Sequence, residues 1–218
     1  MNYLARIFLN CETVFLQGIR DPYDWHQRAW DAFPHLAQCS KGGDSQFRHF
    51  LTRLDPQKDG FRLLILSRSE PRRPDWCPAD PVNWQIKPVP ESLLQHARYR
   101  FGLRANPTKK VTPKGEDGRR RGQGKRVALR TLACLEDWML RKAAAAGFAI
   151  EPGSLRITAG GLAQFSQPRA RQRGTLNIAD FGGTLRVLDR AAFEAAFANG
   201  IGSAKAFGCG LLLLQSLD

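Results

Sequence analysis

Residues 200–214 have the sequence GIGSAKAFGCGLLLL, which places four glycines and one lysine directly before four consecutive leucines. Glycine lets a backbone turn tightly and approach a bulky partner closely. Successive backbone N–H groups in such a loop form a concavity that binds anions, and phosphate is the usual guest. The four leucines predict a buried strand. The segment therefore predicts a phosphate-binding loop that leads into the core of the fold.

The overall charge points to the same kind of ligand. The 218 residues include 33 Lys and Arg against 20 Asp and Glu, which gives a formal net charge of +13. Such an excess favours nucleic acid or another anionic surface as a partner, although a basic surface that is merely solvated would give the same count. Hydrophobic residues make up 43% of the chain, which is enough to build a core.

No segment predicts membrane insertion or export. No run approaches the roughly 18 apolar residues of a membrane span, and residues 1–10 lack the long apolar region of a signal peptide. The five cysteines are scattered without a C-x-x-C pair, which predicts reduced and mostly packed thiols in a cytoplasmic protein. They are Cys11, Cys39, Cys77, Cys134 and Cys209.

The first half of the chain predicts the order strand, helix, strand, strand. Residues 3–9 alternate with large apolar side chains and predict a strand. Asp21 as N-cap and Pro22 at the first position open a helix that continues to Pro34. Two further strands are predicted at residues 50–54 and 61–66, joined by a turn. Six prolines between residues 70 and 90 predict an irregular connector rather than a core element.

The second half repeats this order of elements. Strands are predicted at residues 97–103, 155–158, 174–178, 184–188 and 211–214. Helices are predicted at residues 127–146, closed by Gly147, and at residues 191–198. Two βαββ-type units in series predict an α+β protein with tandem ferredoxin-like (βαββαβ) domains, one over residues 1–90 and one over residues 91–218.

Basic residues are concentrated in two segments of the second half. Residues 104–130 hold ten basic and two acidic residues, a net charge of +8, and predict either a clamp on phosphates or an insertion that is mobile without its ligand. Arg169, Arg171 and Arg173 alternate between two predicted strands, so they share one face of a hairpin that could contact an RNA duplex. A solvated loop would have the same pattern.

Three blocks of sequence together carry a resemblance to a known family. They are residues 23–34, which begin YDWHQRAW, residues 103–108, which are LRANPT, and residues 200–211. The chain resembles the CRISPR RNA-processing endoribonucleases of the Cascade type, the CasE family within the repeat-associated RNA-binding superfamily. Two positions depart from the family pattern, because Gly102 stands where members often have a basic residue and Ser203 where they often have proline.

The resemblance implies two ferredoxin-like domains and cleavage of precursor CRISPR RNA at the 3′ base of a repeat hairpin, without a metal or a cofactor. It makes Tyr23 and His26 the catalytic pair. The two residues are three apart on the predicted helix and share a face, and histidine can move protons near neutral pH. The alternative reading is that both side chains pack at a helix surface. His35, His49 and His96 are expected to be structural.

The expected partners are a CRISPR repeat hairpin and, through the bound guide RNA, other Cascade subunits. RNA contacts are expected at Arg28, Arg104, Lys109, Lys110, Arg119, Arg120, Arg121, Lys125, Arg126, Arg169, Arg171, Arg173, Gly202, Ser203, Lys205 and Gly208. Two other functions fit the same residues: a non-catalytic RNA-binding subunit on this fold, or an RNA-binding protein outside CRISPR biology. Tight packing of a helix-to-strand connection is the alternative role for the glycines.

Overall fold

The structure is a computed structural model that describes residues 1–36, 49–112, 124–167 and 172–217. The strands are β1 Asn2–Asn10, β2 Phe50–Gln57, β3 Gly60–Ser67, β4 Trp84–Val89, β5 Arg98–Ala105, β6 Thr108–Val111, β7 Lys125–Ala128, β8 Phe148–Ile150, β9 Arg156–Gln167, β10 Gln172–Val187 and β11 Leu212–Ser216. The α-helices are α1 Cys11–Leu16, α2 Pro22–Trp30, α3 Leu132–Ala145 and α4 Arg190–Asn199.

The first sheet is built from residues 2–89 and has the antiparallel strand order β2-β3-β1-β4. Ala5, Ile7 and Leu9 alternate on β1 and are fully buried, as a strand with one face in the core requires. Helix α2 covers this face and buries Trp25 and Ala29, which are four residues apart. The predicted strands of the first half and the start of its helix are confirmed, but α2 ends at Trp30 rather than at Pro34, and α1 was not predicted.

The segment between residues 70 and 90 differs from the prediction. Residues 84–89 are not an irregular connector but strand β4, which pairs with β1 from Asn2↔Val89 to Ile7↔Trp84. Pro88 is tolerated because β4 is an edge strand, where a missing N–H breaks no central ladder. Residues 68–83 form no helix, so the first unit has the ferredoxin-like strand order without the second helix.

The second sheet is built from residues 98–216 and has the order β11-β5-β10-β8, with β9 also paired to β10. Its elements follow the full sequence β5, α3, β8, β10, α4, β11, which is a βαββαβ unit. The two predicted strands at 174–178 and 184–188 are one continuous strand, because Gly182 and Gly183 stay in the ladder opposite Gly102 and Phe101. The α+β class and the tandem ferredoxin-like arrangement are confirmed. A domain boundary near residue 90 stays a prediction.

Helix α3 begins later than predicted. It starts at Leu132 after the N-cap Thr131, whose hydroxyl accepts a hydrogen bond from the Cys134 N–H at 3.3 Å. Residues 127 and 128, expected to be helical, instead belong to β7, which pairs with β6. Gly147 follows the helix with a φ of +76°, so the predicted glycine at its C-terminus is confirmed.

Two of the four described cysteines are not packed as expected. Cys77 and Cys209 are buried, and burial raises the pKa of the Cys77 thiol to about 11 and that of Cys209 to about 12. Cys11 and Cys134 are exposed. Cys39 lies outside the described residues. In the described part of the chain, no helix combines the length and apolar character needed to cross a bilayer.

The two sheets meet through an apolar cluster. Leu51, Leu64 and Leu66 of the first sheet pack with Phe197 of α4 and Leu211 just before β11. All five are at most 8% exposed, so the contact between the sheets is part of the core rather than a wet surface.

A partly buried ionic network lies beside this cluster. Arg53 Nε and Arg62 Nη2 donate to the two carboxylate oxygens of Asp55 at 2.9 and 3.0 Å. Arg104 donates through Nε and Nη2 to Asp180 at 3.0 Å each, and its Nη1 lies 3.6 Å from Asp55. Burial by itself would raise the pKa of Asp55, but Arg53, Arg62 and Arg104 together lower it below its ordinary value.

We expect Asp55→Asn to lower the free energy of unfolding by about 3–5 kcal/mol near neutral pH, toward the lower end because Arg62 reaches solvent. The lowered pKa means that the Asp55 contribution is complete above the unfolded value of about 3.9 and is lost as the pH falls through the folded value. Urea unfolding at about pH 7 and about pH 3 measures this. The difference in the free energy of unfolding between wild type and variant should be smaller at the lower pH.

Asp59→Asn is the matched control for this measurement, because Asp59 is exposed in the β2–β3 turn. Its effect should be within about 0.5 kcal/mol at both pH values. Equal losses for the two variants at neutral pH would contradict a central role for Asp55.

Candidate active site and nucleic-acid interface

Helix α2 carries both candidate catalytic residues, and its start is fixed by the local sequence. The Asp21 carboxylate accepts hydrogen bonds from the N–H groups of Tyr23 at 2.7 Å and Asp24 at 3.1 Å, and Pro22 occupies the first turn. Trp25 and Ala29 face the core and are buried, whereas Tyr23 and His26 are half-buried.

His26 sits in an aromatic environment. Its Nε2 accepts a hydrogen bond from the indole N–H of Trp30 at 3.2 Å, and its ring centroid is 5.6 Å from that of Phe50. Phe50 in turn stacks on Phe33 at 4.8 Å. Because the indole nitrogen can only donate, Nε2 is the acceptor of a neutral ring and the proton belongs on Nδ1. Nothing in the sequence predicted that Trp30 would orient His26.

Tyr23 links α2 to the glycine-rich loop. Its ring centroid lies 6.5 Å from that of Phe207, which ends a single 3₁₀ turn at Lys205–Phe207. This contact joins the first sheet's helix to the second unit's loop, across 184 residues of sequence. The structure thus brings the candidate catalytic helix and the candidate phosphate-binding loop together.

The loop itself has an unusual backbone. Positive φ angles recur at Gly202 (+88°), Ala204 (+60°) and Gly208 (+78°), and the expected glycines occupy two of these three positions. A Cβ at Gly202 would lie 3.2 Å from the Trp138 ring, a tight contact, so close packing also disfavours a side chain there. Packing thus accounts for Gly202, whereas contact with RNA stays a prediction for it and for Gly208.

A polar pocket of about 450 Å³ opens beside this loop. It gathers three of the residues expected to bind RNA: Arg126, Gly202 and Ser203. Lys142 of α3 also lines it, with its Nζ 6.0 Å from the centre of the Trp138 ring. Two cations and a loop of positive φ suit a phosphate group. Lys142 could not be predicted as part of this pocket, because a lysine in an amphipathic helix carries no sequence signal of its own.

The hairpin of β6 and β7 extends the basic surface next to this pocket. Lys110 pairs with Arg126 across the ladder, Lys109 pairs with Val127, and Lys125 pairs with Val111. Because faces alternate along a strand, Lys110 and Arg126 share one face, and Lys109 and Lys125 share the other. All four side chains are exposed, as a role in RNA binding requires. Arg119, Arg120 and Arg121 lie outside the described residues.

The second basic hairpin is formed by β9 and β10, which pair as far as Gln167↔Gln172. The prediction that Arg169 and Arg171 lie between two strands agrees with this, although both lie outside the described residues. Arg173 is on β10 opposite Ser166, and its side chain is not described. Strand β9 approaches α2, so this hairpin and the candidate catalytic helix are neighbours.

Arg28, Lys205 and Arg104, all expected to contact RNA, are engaged within the protein. Arg28 donates to the Gln17 carbonyl at 2.9 Å, and Lys205 donates to the Asn199 carbonyl at the end of α4 at 2.5 Å. Arg104 belongs to the ionic network and also donates to the Leu54 carbonyl. Burial by itself would lower the pKa of Arg104, but Asp180 and Asp55 raise it. These contacts give structural roles to the three residues, and their binding of RNA stays a prediction.

The remaining histidines pack against rings. His35 lies 6.3 Å from Phe33, His49 lies 5.7 Å from Trp30, and His96 lies 6.0 Å from Tyr99, measured between ring centroids. Among the described residues, no three His, Cys, Asp or Glu side chains come close enough together to hold a metal ion.

Comparison with known proteins gives a consistent result over the whole chain. A family described as "CRISPR associated protein" matches residues 2–216. The CRISPR-associated endoribonuclease Cse3 of Thermus thermophilus is 28% identical, and the match covers 96% of this chain and 98% of that protein.

Solved structures agree with this match. Thermus thermophilus Cse3, bound to an RNA that represents a pre-cleavage complex, has a TM-score of 0.72 at 26% identity and covers 98% of both chains. The CRISPR-associated protein Cas6e of Escherichia coli K-12 has a TM-score of 0.67 at 25% identity and covers 100% of both chains.

The contact between Trp30 and His26 can be tested without any ligand. We expect neutral His26 to carry its proton on Nδ1, and Trp30→Phe to shift the tautomer ratio about 2- to 10-fold toward Nε2–H, since a hydrogen bond contributes about 0.5–1.5 kcal/mol. The ¹⁵N chemical shifts of the ring nitrogens measure the ratio. Trp84→Phe, in edge strand β4, is the control and should leave it unchanged. An unaltered ratio in Trp30→Phe would show that the indole does not set the tautomer.

Proposed function

This chain belongs to the CRISPR-associated protein family, and from that membership we propose that it is an endoribonuclease that processes precursor CRISPR RNA. The observation that supports this proposal best is the contact between Tyr23 and Phe207, which puts a His/Tyr-bearing helix beside a basic, glycine-rich loop. A phosphate held by that loop would lie next to groups that can move protons. The net charge of +13 supports an RNA substrate.

The substrate is a repeat hairpin, held largely by its phosphates. The β6–β7 hairpin, the pocket with Arg126 and Lys142, and the β9–β10 hairpin all belong to the second unit. A-form RNA has a deep and narrow major groove, so its shape and backbone are the features that such a surface can contact. We assign the stem to this unit and the scissile phosphate to Tyr23 and His26.

The reaction uses the RNA's own 2′-hydroxyl as the nucleophile. The 2′-oxygen loses its proton and forms a bond to phosphorus, the bond from phosphorus to the 5′-oxygen breaks, and that oxygen receives a proton. The products are a 2′,3′-cyclic phosphate and a 5′-hydroxyl, and no metal takes part. His26 moves a proton in this exchange, and Tyr23 holds the phosphate in line.

The wider assembly follows from the same proposal. Residues 1–90 form the domain that carries the catalytic helix, and residues 91–218 form the domain that binds the hairpin. The chain contacts other Cascade subunits through the guide RNA that it leaves bound, in the cytoplasm. The Cse3 structure in complex with RNA supports the RNA partner for a related protein.

A second candidate function is a non-catalytic RNA-binding subunit on the same fold. One observation favours it: Trp30 occupies Nε2 of His26, which is one of the two nitrogens that could exchange a proton with substrate. Such a subunit would bind the hairpin with the same surface and release no product. Cleavage assays separate the two functions directly.

We expect His26→Ala to slow single-turnover cleavage of a repeat hairpin by about 10²–10⁴-fold, because general acid–base help is worth that much. Hairpin affinity should stay within a few fold, since the stem is held elsewhere. His35→Ala, which removes an exposed histidine beyond α2, is the control and should cut at the wild-type rate. A His26→Ala protein that cleaves as fast as wild type would refute the assignment.

We expect cleavage to continue in excess EDTA and to leave a 2′,3′-cyclic phosphate and a 5′-hydroxyl. A single deoxyribose at the nucleotide before the cut should abolish the reaction, because it removes the nucleophile. A deoxyribose one nucleotide earlier is the control and should be cut normally. Mass spectrometry of the products identifies the ends, and cleavage of the first deoxy substrate would rule out 2′-hydroxyl attack.

A further inference from the structure

A cleft of about 980 Å³ lies along α2, and its described lining includes Tyr23 but no residue of the glycine-rich loop. One wall is the helix, with Tyr23, Gln27 and Trp30 at successive turns. The other wall is the segment of residues 72–76, which includes Arg72 and Trp76. We call this feature the α2 cleft. Among the described residues that were expected to take part in catalysis or RNA binding, Tyr23 alone lines it.

We propose that the α2 cleft binds the single-stranded nucleotide that follows the scissile phosphate. This inference rests on the proposed function. Tyr23 contacts Phe207 of the glycine-rich loop and also lines the cleft, so it stands between the two. A strand that leaves the loop and passes Tyr23 has the cleft as its next contact. Because the cut lies at the 3′ base of the hairpin, that strand is the one on the 3′ side.

The side chains of the cleft suit a nucleobase better than a bare phosphate. Among the described lining residues, Arg72 and Arg73 are balanced by Asp31 and Asp75, so these residues carry no net charge together although the protein as a whole carries +13. Tyr23, Trp30 and Trp76 offer aromatic faces, on which any base can stack. The exposed amide of Gln27 can both donate to and accept from the edge of a base.

The cleft is braced by contacts within its walls. The Trp76 indole donates to Asp31 at 2.9 Å, which ties the two walls together, and the Arg72 N–H donates to the Ala32 carbonyl at 2.9 Å. The Arg73 guanidinium donates to the carbonyl of Cys77 in its own segment. Asp31 and Arg73 are therefore used for structure, which leaves the exposed Arg72 side chain as the cation for the phosphate of the bound nucleotide. A preformed cleft loses little entropy when it is filled.

The test measures binding of hairpins that cannot be cut, so it does not depend on catalysis. Both RNAs carry a deoxynucleotide immediately before the cut site. The short RNA ends at this deoxynucleotide, and the long RNA continues for three nucleotides beyond the cut site. We expect the longer RNA to bind about tenfold more tightly to wild-type protein, which lies within the range for stacking of a base on aromatic side chains. Replacing the first nucleotide beyond the cut by an abasic one, which keeps the phosphate, should remove most of this gain.

Two variants locate the effect. Gln27→Ala and Arg72→Gln should each reduce the gain from the extension by at least about threefold and leave the affinity for the short RNA unchanged. Lys87→Gln removes an exposed cation from β4 and is the matched control, which should keep the full gain. Circular dichroism and thermal unfolding check that each variant folds.

The outcomes separate this inference from the proposed function. Equal affinity of wild-type protein for the short and extended RNAs would overturn the inference and leave cleavage untouched. A gain that persists in both cleft variants would also overturn it, because the extension would then bind elsewhere. Failure of the wild-type protein to cleave an all-ribose hairpin would refute the proposed function. Even then, a gain in affinity from the extension that is lost in the two cleft variants would support the cleft as a nucleotide site.

Discussion

Arg104 makes the interaction on which the arrangement of the site depends. Its side chain lies across the contact between the sheets, where it bonds to Asp180 in the second sheet and to the Leu54 carbonyl in the first. Its own carbonyl accepts the Gly210 N–H at 2.7 Å, at the end of the glycine-rich loop. One residue therefore fixes the loop to its strand and the strand to the opposite sheet. Helix α2 packs on the first sheet and the glycine-rich loop belongs to the second. Bonds between the two sheets therefore help to set the distance between α2 and the loop.

The glycine-rich loop is as much a product of this packing as of any ligand. A Cβ at Gly200 would come within 2.8 Å of the Leu51 side chain in the first sheet, so any larger residue there would force that side chain to shift. The approach of the two sheets also places Phe207 against Tyr23. The same glycines thus allow the close contact between the sheets and give the loop a backbone shape that suits phosphate. Packing and binding are complementary explanations of this loop, not competing ones.

Local signals in the sequence predicted local structure well. The Asp21-Pro22 start of α2 and the glycine after α3 were correct because capping depends on neighbours in the chain. Strand β4 was missed because its proline is harmless only at an edge, and edges are decided by the other strands. The roles of Trp30 beside His26 and of Arg104 between the sheets were missed for a related reason. A side chain's partners come from tertiary packing, which a single sequence does not display.

The surface that results has two regions with different physical character. The β6–β7 hairpin of the second unit presents exposed lysines and Arg126, and such a surface holds a phosphate backbone by charge, with a strong dependence on salt. The face of α2 is instead aromatic and close to neutral, with His26 held among Trp30 and Phe50. Proton transfer needs a fixed orientation and little competing water, which charge alone does not provide. A duplex bound at the basic region would have its phosphates held by charge. A strand that passes Tyr23 would meet the oriented and poorly hydrated groups that proton transfer needs.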